Sequence, residues 1–268
     1  MVIAAVLGLQ DPSTDPMVVT ARVVSVGPEA ALCRLWHEGA AQPGPAVLPL
    51  TECVADARHG LAAGQRLQAV IIEPGSPPVL SVTRPDLIAA LLPGIVPEIR
   101  EGLVRVMRIA WKPGARAKIA VAAYAPDVDP VAACLGRRAN RVLALSRALG
   151  GDKMEIVPWS DDRERVLVNA MAPVRATGVA ISERHAVVSV AAHQMSAAVG
   201  KGGLNSELAG RIAGLFVHVV QDGEDLQQAL RDHLTEQQTF VADTTPSAPQ
   251  SEAVVAANIP GPTAEPAA

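Results

Sequence analysis

The chain has 268 residues, room for two or three small domains, and 49% of them are apolar, so burying a core is no obstacle. Aromatics make up only 2%, which leaves packing to aliphatic side chains and weakens any binding surface built from many base-stacking rings. The formal net charge of −4 argues against a uniformly basic polyanion binder, but it is unevenly spread: residues 1–96 carry 5 basic and 8 acidic side chains, residues 97–222 carry 17 and 12, and residues 223–268 carry 1 and 7. A basic middle between acidic ends fits a polyanion-binding module followed by a solvating tail.

In chain order, the opening MVIAAVLGLQ is apolar but lacks the basic start and cleavage signal of a secretory leader. It is also too short to cross a bilayer, and the chain reads as cytoplasmic. Residues 17–82 then alternate in short runs: MVVTARVVSV, ALCRLW, AVLPL, RLQAVIIE and PVLSVTR, separated by Gly- and Pro-rich turns. Five short strands in so few residues predict a small all-β barrel of the OB type. Cys33, Cys53 and Cys134 lie far apart without a CxxC, as expected of structural thiols and not of a metal site or disulfide framework.

An internal repeat governs the chain beyond the barrel. In its second copy a helix over 161–171 precedes strands at 174–182 and 186–192, a short helix at 194–199, a loop at 200–203, a helix carrying Leu204, Leu208, Ile212 and Leu215, and a strand at 216–220. In the first copy a short helix near PEIREGL precedes strands at 104–111 and 117–123, a helix at 129–135, a loop at 136–139, a helix with Val142, Leu145 and Leu149, and a strand at 153–157. The loops are 64 residues apart, and each copy reads αββααβ. Residues 224–238 predict one further amphipathic helix, with Leu226, Leu230 and Leu234 at helical spacing. From about Ala242 the composition predicts disorder.

The sharpest signal is Gly200-Lys201-Gly202-Gly203, a Gly-x-x-Gly between two helices. Glycines there permit positive φ and clear the way for a ligand to reach the backbone. The following helix aims its N–H groups and dipole into the loop, and Lys201 adds a charge, so together they could clamp a sugar–phosphate chain. The spacing is not that of a Walker loop. The first copy reads Gly136-Arg137-Arg138-Ala139, with two charges and an alanine in place of the closing glycine. If that position requires positive φ, alanine costs about 1 kcal/mol.

Catalysis has no foothold. His37, His59, His185, His193, His218 and His233 are scattered without HExxH spacing, and Ser182, Ser189 and Ser196 lie in no GxSxG elbow. Asp127, Asp129, Asp161 and Asp162 precede helices, where carboxylates cap. No enzyme, metal or cofactor is expected.

The stretches VPEIREGLVRVMRIAWKPGARAKIAV, DPVAACLGRRANRV, GGDKMEIVPWS and QMSAAVGKGGLNSELAGRIAG resemble the paired KH domains of the NusA family of bacterial transcription elongation, termination and antitermination factors, and the resemblance runs from about Val18 to Val220. It implies an α+β chain in which a small S1-like OB-fold barrel (17–92) precedes two type II KH domains (96–158 and 159–222), with a short helix and disordered acidic tail (223–268). It also implies a single-stranded RNA surface made by Gly136, Arg137, Arg138 and Arg141 in the first KH unit and Gly200, Lys201, Gly202, Gly203 and Asn205 in the second. Arg116 and Lys118 match the basic start of a KH strand, as RNA contacts or as ordinary solvated charges. The expected partners are nascent RNA, RNA polymerase and other elongation or antitermination factors. Set against the family, the chain is expected to lack the polymerase-docking N-terminal domain. Alternative readings are a protein-interaction paralogue with little RNA binding and a ribosomal RNA maturation or assembly factor.

Overall fold

The computed structural model describes residues 17–36, 44–54 and 60–243. The apolar opening, His37, His59 and the acidic tail past residue 243 lie outside the described residues.

The alternation in the first segment becomes a closed barrel. Strands β1 (Val18–Val26), β2 (Ala30–Trp36), β3 (Gly44–Pro49), β4 (Arg66–Glu73) and β5 (Val79–Ser81) close in the order β1-β2-β3-β5-β4. Only β3 and β5 run parallel, and β1 closes the ring against β4. Val19, Ala21 and Val23 of β1 point inward with Ala31, Cys33, Ala46, Leu48, Ala69 and Leu80. So narrow a lumen is filled by small aliphatics, as the composition requires.

Helix α1 (Pro85–Ile95) starts on a proline at its first turn, and its Leu87, Ile88 and Leu92 join Val70 of the barrel to the core of the next unit. That unit comprises α2 (Pro97–Arg100), β6 (Val104–Lys112), β7 (Arg116–Ala123), α3 (Pro130–Leu135), α4 (Asn140–Ala148) and β8 (Lys153–Pro158). The second repeats it with α5 (Arg163–Ala170), β9 (Ala176–Ser182), β10 (His185–Val190), α6 (Met195–Val199), α7 (Leu204–Ala213) and β11 (Phe216–Gln221). Each has a three-stranded sheet, ordered β6-β7-β8 and β9-β10-β11, with the last strand parallel to its neighbour. Asp129 caps α3 and Asp162 caps α5, as the sequence predicts.

The two units share a core. The outer face of the first sheet presents Ala110, Ala120 and Val157 to Val166, Leu167, Leu208 and Ile212 of the second unit. The equivalent face of the second sheet is covered by the expected amphipathic helix, α8 (Leu226–Asp243), through Leu226, Leu230 and Leu234 against Ala180, Val187 and Val220. Burial pushes the Cys134 thiol up to about 12 and Cys53 to about 11, consistent with inert thiols. Among the described residues no helix is long and apolar enough to cross a membrane.

Candidate nucleic-acid interface

The two loops have the same backbone path. In the second, Gly200 leaves α6 at φ 76°, ψ 171°, and Gly202 and Gly203 follow at φ 62° and 80° before α7 begins. In the first, Gly136 (φ 69°, ψ 178°) leads through Arg138 (φ 51°) and Ala139 (φ 58°) into α4. The closing position therefore does require positive φ, and the first copy meets that demand with two residues that have side chains. Each left-handed residue of this kind stores about 1 kcal/mol or more.

The glycines of the second loop serve two purposes. A Cβ at Gly200 would lie 2.8 Å from the Asn205 backbone nitrogen, so that position needs its missing side chain for close packing. At Gly202 and Gly203 a Cβ would meet nothing within 4 Å, so those positions need the dihedral, and their outer side is open. Lys201 stands exposed there, as do Arg137 and Arg138 in the first loop. Neither α4 nor α7 has a side-chain cap, in contrast to the aspartate-capped α3 and α5. An exposed cation, open backbone and an uncapped helix start form the arrangement that holds a phosphate.

The other predicted contacts are placed differently. Lys118 is a correction: its side chain is 0% exposed, and its Nζ donates to Glu155 Oε2 at 2.7 Å and to the Ala172 carbonyl of the second unit at 2.9 Å. Burial pulls the Lys118 ammonium below its ordinary value despite the opposing pull of Glu155. Burial also pushes the Glu155 carboxyl up, but hydrogen bonds and charge from Lys118, Lys153 and Arg116 outweigh it and leave the carboxyl below its usual range. Asn205 is a second correction. Its 1% exposed side chain donates to the carbonyls of Met171 and Ala198 and accepts from Arg116 Nη1 at 3.3 Å. A ligand cannot reach either group. Asn205 instead braces the underside of Gly200, and Arg116 ties it to the first unit while also pairing with Glu155 at 3.3 Å. Arg141 donates to Glu98 at 2.8 Å and to the Ala133 carbonyl at 2.6 Å, fastening α4 to α2 and α3.

Sequence reasoning missed Glu155, the acceptor at the centre of this network, and Arg108, which donates to the Ile212 carbonyl at 2.9 Å across the interface and lies over the Trp159 ring. A signal existed: Arg116 and Lys118 share one strand face, as do Lys153 and Glu155 in the neighbouring strand, so four charges were bound to meet.

Residues 82–159 match the family of NusA-like first KH domains, and residues 163–227 match the family of NusA-like second KH domains. The chain is 35% identical over 196 residues to a transcription termination/antitermination protein NusA of Thermus thermophilus, covering 70% of this chain and 50% of that protein. The protein of that name from Halalkalibacterium halodurans is 33% identical over 220 residues, 78% of this chain and 56% of the relative. The one from Rickettsia conorii is 37% identical over 151 residues, 54% and 30% respectively. The chain thus spans about half the length, or less, of these relatives.

Proposed function

The chain belongs to the NusA-like family with paired KH domains, and on that premise we propose that it is a non-catalytic, cytoplasmic factor that binds single-stranded RNA in transcription elongation, termination or antitermination. The observation that carries this reading is the loop Gly200–Gly203, where an exposed lysine, two left-handed glycines with open space outside them and an uncapped helix start coincide. In this reading loop N–H groups and Lys201 hold phosphates of the nascent transcript. Arg137 and Arg138 do the same in the first unit, and splayed bases lie over the aliphatic surface beside each loop. RNA polymerase and other elongation factors are the partners the family relationship points to.

Fluorescence-anisotropy titration of a short single-stranded RNA at two salt concentrations tests it, comparing the native chain with the double variant Lys201→Asp, Gly202→Asp. Aspartate tolerates the left-handed conformation, so the loop path survives while the charge reverses. Salt-sensitive binding that falls by roughly tenfold or more in the variant is the expected result. Absence of binding by the native chain at low salt would overturn the proposal.

A further inference from the structure

Two described aromatic side chains are more than half exposed, Tyr124 at 60% and Phe216 at 56%. Phe216 has the more informative setting. It opens β11, the edge strand of the second sheet, and pairs in register with His185. The His185 ring lies 5.3 Å from it at a tilt, and the Arg184 guanidinium sits 5.5 Å from its centroid. An arginine over a ring is attractive and holds it in place.

Phe216 is also part of the wall of a cavity of about 490 Å³, within the size range of small-ligand sites. Gly203, the last residue of the candidate phosphate loop, lines the same cavity, and so do Ser206, Glu207 and Arg211 of α7. A strand of RNA gripped at the loop therefore has a chamber beside it with an aromatic wall. In the first unit the position that matches Phe216 in strand register is Lys153, paired with Glu155 at 2.8 Å.

We propose that Phe216, held by Arg184 and His185, is a stacking platform for one unstacked base of the RNA whose backbone lies in the Gly200–Gly203 loop, so that the second unit grips a base face at the position where the first unit carries Lys153. The inference rests on the RNA-binding reading of that loop. Every base has a π-face, so the platform tolerates any base but requires one to be present. It adds contact area and no phosphate contact.

The test uses the full chain, a short single-stranded RNA, and copies of that RNA made abasic at one position at a time. Phe216→Ala is expected to weaken binding about 5- to 150-fold, the loss of one base–ring stack, with an unchanged salt slope. Phe216→Trp is expected to retain affinity, with its added indole fluorescence quenched on binding. At one abasic position the native chain should lose as much affinity as Phe216→Ala loses on intact RNA, and combining the two should add no further loss. The proposal is overturned if Phe216→Ala binds intact RNA as the native chain does, or if its loss is equal at every abasic position. Those outcomes leave the loop reading standing, provided that Lys201→Asp, Gly202→Asp still weakens binding by roughly tenfold or more. If the native chain binds no RNA, both readings fall together.

Discussion

The two KH units share a backbone and differ in what covers it. On the first sheet the register pairs Arg116 with Lys153 and Lys118 with Glu155; on the second the same positions hold His185 with Phe216 and Val187 with His218. The first face is sealed by the second unit, whose Ala172 carbonyl and Asn205 amide complete a polar network, and four charged side chains can be drawn together there because each finds a partner. The second face is covered by α8, which brings leucines and His233, and the positions beneath it hold Val187 and His218, whose ring stacks on that of His233. In the loops the difference runs the other way: the second has glycine wherever φ is positive, and the first carries Arg138 and Ala139 through the same turn. A fold fixes the path, and the neighbour decides which chemistry that path can tolerate.

The largest effect expected from breaking this comparison is at Lys118. Lys118→Ala removes a fully buried cation from Glu155 and leaves the Ala172 carbonyl without that donor. Deleting one partner of a buried pair costs about 3–5 kcal/mol, and the lower end applies because Arg116 and Lys153 still neutralise Glu155. Urea unfolding should show a lower midpoint, and RNA affinity should fall with it, since the same network holds Asn205 beneath the loop. Unchanged stability would mean that the two units do not depend on their charged seam.

A smaller effect concerns pH. The folded-state pKa of Glu155 lies below its ordinary value, so its contribution is fully present above the usual glutamate range and is lost as pH falls through the folded pKa. Acid titration of the native chain should therefore show a destabilisation below that range which Glu155→Gln lacks. Identical acid limbs in the two proteins would assign the loss to other carboxylates.

The barrel and both repeats were legible because period-2 alternation, turn glycines and the 64-residue recurrence are local signals. The exposed loop cations were legible too, since a charge in a glycine turn has nowhere to go but outward. Lys118 and Asn205 were misread for a shared reason: strand and helix position fixes which face a side chain takes, but not whether another unit lies on that face. Phe216 was overlooked because it reads as the first residue of a core strand, and only the closed fold reveals it at a sheet edge beside Gly203.

The smallest effect sharpens the loop comparison by exchanging its residues. Ala139 sits at φ 58° where its counterpart Gly203 sits at φ 80°. Ala139→Gly should stabilise the chain by about 1 kcal/mol, the left-handed penalty less the extra entropy glycine has when unfolded. Gly203→Ala should cost about as much, and the dihedral alone would be responsible, because a Cβ there meets nothing within 4 Å. Paired denaturation curves for the two variants would show shifts of similar size and opposite sign. If Ala139→Gly gains nothing while Gly203→Ala still loses about 1 kcal/mol, the first loop relaxes out of the left-handed region in solution, and the two copies are alike in sequence order but not in loop shape.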